Sequence, residues 1–540
     1  MNHVKILDCT LRDGAYLVDK RFVNETIEGI VEGLVKASVD YVEIGFLQNE
    51  GFGEGKTVYR NSKDASRFVP KNKNGCEFAV LADYSRYSID KLDIHTDDGI
   101  DIVRECFFKN ERFGAIEACR VIKEKGYKLF VQPVDILGYT DRELIDFIDA
   151  VNEIEPYCFS IVDTFGSMYQ EDLHRVFELI NHNLVSTCRI GFHSHNNLQL
   201  SSALSQEFVR MTVGKRDIVV DSTLSGMGRG AGNTPTELIV QYLVSKHGSK
   251  YDVDEILDLI DTFMGNIRSR CSWGYTTELF VAGSYSAHVN NVSYLSSKNS
   301  LSSKDIRFIL NKVGSEDRKR YDYDLLEKTY VEYVGSKVDD SASKNALKNC
   351  ISNRKVLVLV PGASLTADHD LIMKFIKQEH PLIISVSFVP KNIESDFVYI
   401  SNMRRYQQWK NTQRFIETKK IMTSNFPDEC YDDKTFKVSF INLVKCGWNA
   451  MDNSTVMLLR LLSDLMISEV YIAGFDGYET DPKVNNYTEY DLEINPMLED
   501  AVKRNEEIRE MLIDFNNTRK AKEMNIQFLT HSRFESCFIN

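Results

Sequence analysis

Short apolar runs alternate with stretches of helical period through the first 248 residues. The β-rich runs are Val4–Asp8, Tyr41–Phe46, Glu77–Leu81, Ile100–Cys106, Lys128–Val134, Cys158–Asp163, Arg189–His193 and Asp217–Ser222. Between them, apolar residues recur at three- and four-residue spacing over Thr26–Ala37, Asn110–Lys125, Asp141–Asn152, Gln170–Asn183 and Leu198–Thr212, which predicts helices lying on a sheet. Eight strand–helix units in about 250 residues match the count and length of a closed (β/α)8 barrel. A doubly wound open sheet competes with it, but the Gly-x-Gly-x-x-Gly turn that such sheets place after their first strand is missing here. The eighth helix is well punctuated. Asn233 or Thr234 can cap it, Pro235 suits its first turn, and Gly248 follows its end.

After residue 250 the strand pattern gives way to helical patterns such as Val253–Ile267 and Ser303–Val313, which predicts a helical appendage over 251–350. A fresh β/α pattern begins at Arg354, where a continuously apolar strand runs into the turn Gly362-Ala363-Ser364, the way an open parallel sheet offers backbone N–H groups to an anion. Further strands are expected at Leu382–Val389, Asp396–Ile400, Phe436–Ile441, Glu469–Ala473 and Ile526–Thr530. The expected fold class is therefore α/β: a TIM barrel over 1–250, the helical appendage, then a Rossmann-like domain over 351–540.

Composition narrows the function classes. A net charge of −14 with a pI near 5.4 argues against nucleic-acid and anionic-membrane partners, which need a positive field. The 11 cysteines include no Cys-x-x-Cys pair and several stand inside apolar runs, as expected of reduced thiols in a cytoplasmic protein. No apolar run approaches the length of a membrane span, and the start of the chain lacks the long apolar stretch of a leader peptide.

Candidate chemistry clusters at three places. Arg12-Asp13-Gly14 ends the first strand in a fixed cation, a carboxylate and a sharp turn. His193 and His195 stand two apart at the end of the seventh, so their side chains share a face. Two imidazoles and a carboxylate leave about half of an octahedral shell open to water and a bidentate substrate. The third place is the loop Gly226-Met227-Gly228-Arg229-Gly230-Ala231-Gly232-Asn233. Other polar residues near strand ends, Glu43, Arg104, Gln132, Asp163 and Thr164, suit either a site or hydrogen bonding inside the barrel.

Together these motifs resemble those of the DRE-TIM metallolyases, the HMG-CoA lyase-like superfamily, over roughly the first 300 residues. The glycine loop and Ala282-Gly283-Ser284-Tyr285-Ser286 are most similar to the 4-hydroxy-2-oxovalerate aldolase branch. The resemblance implies that Asp13, His193 and His195 bind a divalent cation, Mn2+ or Mg2+, with Asn233 either a further ligand or a helix cap. It implies that Arg12 holds the enolate oxygen of pyruvate, that Thr164 meets the substrate carboxylate, and that Tyr285 reaches the active site from the helical region or packs in the core. Those aldolases carry an acid–base histidine where this chain has Tyr16, and a phenol's ordinary pKa near 10 makes a poor base at neutral pH. The expected activity is a metal-dependent aldolase joining a pyruvate-type enolate and an aldehyde, or splitting the product. A Claisen-type acyl-CoA synthase or lyase is the alternative, although such enzymes carry a glutamine where this chain has Tyr16. A barrel that keeps the metal without turnover is the other. In the last domain, Gly362 to Ser364 and Ala473-Gly474-Phe475-Asp476 resemble turns of nucleotide-sugar- and pterin-linked transferases, implying that Gly362, Ser364 and Asp476 bind a nucleotide or nucleotide-sugar phosphate. The expected partners are small molecules, and a homo-oligomer is left open.

Overall fold

The structure is a computed structural model that describes residues 4–298, 301–335, 338–351, 354–479, 501–518 and 524–538. Its contacts divide the chain into two units, Met1–Val289 and Asn290–Asn540.

The first unit contains β1 (Val4–Asp8), β2 (Tyr41–Leu47), β3 (Val58–Tyr59), β4 (Glu77–Asp83), β5 (Ile102–Phe107), β6 (Lys128–Pro133), β7 (Cys158–Asp163), β8 (Arg189–Ser194) and β9 (Ile218–Ser222). All pairings among them are parallel. Val4–Asp8 lies in register with Ile218–Ser222, and Leu7 and Asp8 pair with Tyr41 and Val42, so β1 closes the ring between β9 and β2. The two-residue β3 pairs only with β2, outside the eight barrel strands. The barrel and its helices match the expected architecture, including the helix Thr236–His247 and Gly248, which ends it with φ 64°.

The barrel interior is layered, because alternate residues of each strand share a face. Leu7, Cys9, Tyr41, Ala79, Ile102, Phe130, Cys158 and Val219 form one apolar cluster. Two residues further along their strands stand Glu43, Arg104 and Asp221, each no more than 3% exposed. An apolar floor thus supports a charged layer, and the functional side chains sit above it at the carboxyl ends of the strands.

Glu105, next to Arg104 on β5, points the other way, toward Cys119 of the helix Arg112–Glu124. It is 2% exposed, and its Oε2 has no hydrogen-bond partner. Burial, reinforced by the charge of Asp83, holds its carboxyl well above the usual range. Above the unfolded carboxyl's pKa of about 4.3, the folded state therefore binds a proton that the unfolded state lacks, and the group's contribution to stability falls as pH rises. Glu105→Gln, a neutral isostere, is expected to stabilise the protein at pH 7.5 by about 1–2 kcal/mol and to flatten this pH dependence. Urea denaturation of both proteins between pH 5 and 8 checks it; a less stable variant at pH 7.5 would contradict it.

The helical stretch expected as one appendage is divided between the units. The helix Val253–Leu259 and the turn that follows belong to the first. There Leu259 and Phe263 pack against Gly33 and Gly29 of the helix Asn24–Lys36, where a Cβ would come within 2.3 and 2.4 Å of them. The helices Ser303–Val313, Tyr323–Val334 and Ser341–Ile351 belong to the second unit, where the Asp340 carboxylate accepts a hydrogen bond from the Ser439 N–H at 2.9 Å.

That unit holds β10 (Val356–Leu359), β11 (Leu382–Val386), β12 (Phe397–Ile400), β13 (Lys419–Thr423), β14 (Thr435–Val438), β15 (Glu469–Ala473) and β16 (Asn525–Phe528). They form an open parallel sheet in the order β14-β13-β12-β11-β10-β15-β16, so the chain reverses its direction of travel across the sheet between β10 and β15. The hydrophobic pattern did not predict β13. Its two leading lysines disguise an interior strand, although Lys420 is 2% exposed and its ammonium lies 2.8 Å from Asp432. Among the described residues no helix is long and apolar enough to cross a membrane.

Candidate metal centre

After β1 the chain makes one helical turn, Thr10–Asp13. The Asp8 carboxylate accepts from the Thr10 N–H at 2.9 Å, and the Thr10 hydroxyl accepts from the Leu224 N–H at 2.7 Å. These bonds fix Arg12 and Asp13 at the carboxyl end of the barrel, 6% and 1% exposed. His193 ends the buried face of β8, with His195 just beyond. Their Nε2 atoms lie 3.5 and 3.6 Å from the same oxygen, Asp13 Oδ2. Each ring is turned that way by its other nitrogen. His193 Nδ1 donates to Asp221 at 3.0 Å, and His195 Nδ1 donates to the carbonyl of Asp163 at 3.1 Å.

Asp221 escaped the sequence reading, in which it was one acid near the end of an apolar strand. It completes a closed ring of contacts. Arg12 donates to Asp13 at 2.5 Å and to Glu43 at 2.7 Å, Arg104 donates to Glu43 at 3.0 Å and to Asp221, and His193 joins Asp221 to Asp13. Burial alone would raise the Asp13 carboxyl, but Arg12 and the two imidazoles hold it well below the usual carboxylate range. Two arginines facing three carboxylates leave one net negative charge among buried groups, which a cation would offset.

These residues suit a divalent metal. His195 Nε2 and Asn233 Oδ1 are both buried without a hydrogen-bond partner. Asn233 lies against Gly228, where a Cβ would come 2.0 Å from its amide nitrogen and 2.9 Å from Asp13 Oδ1. Two imidazoles, a carboxylate and an amide oxygen form a hard, oxygen-and-nitrogen donor set of the kind that binds Mn2+ or Mg2+. The loop that carries Asn233 depends on Gly232, which has φ 90° and leaves no room for a Cβ, 2.0 Å from the Gly226 carbonyl. Pro235, rather than Asn233 or Thr234, stands at the cap of the following helix, so the Asn233 side chain is not spent there.

Tyr16 lies edge-on to Phe46, with ring centroids 5.4 Å apart, and the Arg229 guanidinium lies 5.3 Å from its ring centre. The residue is 39% exposed, but desolvation pushes the phenol up to about 12, only partly opposed by Arg12. At neutral pH Tyr16 is a proton donor, not a base. The backbone N–H of Arg229 donates to Asp13 Oδ1 at 3.0 Å, and its guanidinium donates to His288 Nε2. Burial and the neighbouring Arg229 push His288 down to about 3, which keeps that nitrogen an acceptor.

The Thr164 hydroxyl accepts from the Asp135 N–H at 2.8 Å and keeps its own proton to donate. Tyr285 is half-buried just past the helix Thr277–Ser284. The Gly283 of that helix packs on the loops after β7 and β8, where a Cβ would come within 3.1 Å of the Gly166 carbonyl and 3.0 Å of Asn197. Gln132 is engaged by Ser160 at 2.6 Å, and the Asp163 carboxylate by the Ser167 N–H at 2.9 Å.

In the second unit the structure brings Gly362, Ser364 and Asp476 together. The Asp476 carboxylate itself accepts from the Ser364 N–H at 2.8 Å and from the Ser364 hydroxyl at 2.5 Å, and a Cβ on Gly362 would come 2.6 Å from it. The N–H group of Ser364 is thus engaged by the chain's own carboxylate.

Residues 3–263 match the family model described as HMGL-like. The chain is 27% identical over 269 residues to an oxaloacetate decarboxylase of Mycobacterium tuberculosis, an alignment that covers 47% of this chain and 74% of the relative. It is 26% identical over 341 residues to a 4-hydroxy-2-oxovalerate aldolase of Thermomicrobium roseum, covering 58% and 89% of the two chains. A solved N-terminal domain from Bacteroides vulgatus is similar at 24% identity and a TM-score of 0.48, covering 54% of this chain and 96% of that one.

Proposed function

Starting from an HMGL-like domain of the DRE-TIM superfamily in residues 3–263, we propose that this protein is a divalent-metal-dependent carbon–carbon lyase. In this reading it forms the enolate of a pyruvate-type 2-oxo acid and adds it to an aldehyde, or releases it from a 4-hydroxy-2-oxo acid. The observation that carries the proposal is the convergence of Arg12, His193 and His195 on one carboxylate oxygen of Asp13.

Asp13, His193, His195 and Asn233 would hold Mn2+ or Mg2+, which when bound draws charge from the carbonyl of a chelated 2-oxo acid. The protein's own groups do the rest. Arg12, anchored through Nε on Glu43, keeps a permanent positive charge beside the position where the enolate oxygen develops. Thr164 offers its hydroxyl proton to the 2-oxo acid's carboxylate, and Tyr285 lines the mouth from the helix that packs over it. Tyr16, protonated at neutral pH, donates to the aldehyde oxygen and so acts as the acid of the addition direction.

Methyl deuterium exchange into pyruvate in D2O with Mn2+, followed by proton NMR, tests enolisation without knowledge of the acceptor. Exchange that is abolished by chelation is expected; no exchange with either metal would sink the proposal. Tyr16→Phe is expected to lower cleavage of 4-hydroxy-2-oxo acids at least tenfold while exchange changes far less, because only the acceptor half of the reaction needs that proton. Equal losses in both assays would remove Tyr16 from this role. A CoA-dependent assay that released thiol would favour the Claisen alternative instead. The high pKa of Tyr16 favours one second reading, release of carbon dioxide from oxaloacetate, which forms the same enolate with no alcohol to deprotonate.

A further inference from the structure

Arg229 is a cation beside the candidate metal centre. Arg12 and Arg104 each touch two carboxylates, whereas among the described residues no carboxylate pairs with Arg229. Its guanidinium meets the His288 imidazole nitrogen and the face of Tyr16, both uncharged contacts. It is half-buried, and its backbone is fixed by the bond from its own N–H to Asp13 at 3.0 Å. A guanidinium offers five N–H donors, and a neutral imidazole nitrogen engages one of them. Held in place, partly desolvated and uncompensated, such a group is an anion receptor, since charge-assisted bidentate hydrogen bonds recover what desolvation costs. Its position identifies which reactant it would serve. The guanidinium lies 5.3 Å from the ring centre of Tyr16, the residue that donates to the aldehyde oxygen in the aldolase reading. Arg229 is therefore on the acceptor side.

We propose that Arg229 binds an anionic group on the aldehyde, so that the acceptor is an aldehyde bearing a carboxylate or a phosphate rather than a simple alkyl aldehyde. The proposal rests on the aldolase reading and narrows its substrate class. Tyr16 would then donate to the aldehyde oxygen while Arg229 holds the far end of the same molecule, which fixes the carbonyl against the enolate.

Two measurements on the full chain loaded with Mn2+ test it. In calorimetric titration, glycerol 3-phosphate and succinate stand in for phosphorylated and carboxylated aldehydes, with glycerol as the neutral control. Binding of at least one anion is expected to weaken about 10- to 100-fold in Arg229→Met and to be largely kept in Arg229→Lys, with the better-bound anion naming the source. In condensation with pyruvate, glyceraldehyde 3-phosphate or succinic semialdehyde is expected to exceed propanal in kcat/KM by at least tenfold, an advantage lost in Arg229→Met. Unchanged anion binding in Arg229→Met, or no preference for anionic aldehydes in the wild type, would overturn the proposal. So would a tenfold rise of the pyruvate KM for exchange in Arg229→Met, since that would seat the 2-oxo acid itself on Arg229. Absence of exchange in the wild type would instead defeat the aldolase reading, and the titration would still decide whether Arg229 is an anion receptor.

Discussion

In Asp13→Asn protein, deuterium exchange into the methyl group of pyruvate falls at least a thousandfold, a loss of about 4 kcal/mol of transition-state stabilisation. The substitution keeps the shape of the side chain and an oxygen for the Arg229 N–H, so the loop should stay in place. What disappears is the negative charge on which Arg12, His193 and His195 converge. Without it the buried groups lose their net negative charge, and the Arg12 guanidinium faces the cation with no carboxylate between them. Mn2+ titration followed by electron paramagnetic resonance should show the metal lost together with the exchange. A variant that retains a tenth of the wild-type exchange would contradict the assignment of Asp13 as a ligand.

The largest expected effect on stability belongs to Arg104→Met. Arg104 is fully buried and contacts both Glu43 and Asp221. Its loss leaves two carboxylates in the barrel core with one fewer cation between them, and breaking a buried ion pair by removing one partner costs about 3–5 kcal/mol. Urea denaturation should show the midpoint falling accordingly. Adding Glu43→Gln and Asp221→Asn to the variant should restore part of the loss, because the damage comes from uncompensated charge rather than from missing volume. No recovery in the triple variant would mean that Arg104 acts mainly through packing. Asp221→Asn alone tests the link to function. The amide no longer offers a charged partner to His193 Nδ1, and metal affinity is expected to drop about 10- to 100-fold.

The barrel was legible because its strands are short apolar runs with turn residues at their ends; Cys158–Asp163 and the helices Asp141–Asn152 and Gln170–Asn183 have the bounds that the pattern predicts. The charged layer was less so. Glu43 and Arg104 stood out only as polar residues near strand ends, and Asp221 not at all, because sequence alone does not say which residues meet across a closed barrel. The register of β9 against β1, which sets Asp221 beside Leu7, supplies that information. The division between Val289 and Asn290 was hidden because helical period continues across it, with no break in composition to mark which sheet each helix serves. Around Gly362 both turns were visible, but the partner of the exposed N–H was not. That partner is the side chain of Asp476, 112 residues away from Ser364.

The strand order of the second sheet bears on how the protein emerges from the ribosome. β10 is the first strand of that sheet to be made, yet it ends up in the middle, flanked by β11 and by β15. Val356–Leu359 waits more than a hundred residues for Val470–Ala473, and at about 5–20 residues per second that is roughly 5–20 s with one apolar edge unpaired. During that interval the nascent chain presents an open parallel edge after the barrel segment has been made. Chaperone capture or slow translation would therefore matter most in the window between the synthesis of β14 and that of β15.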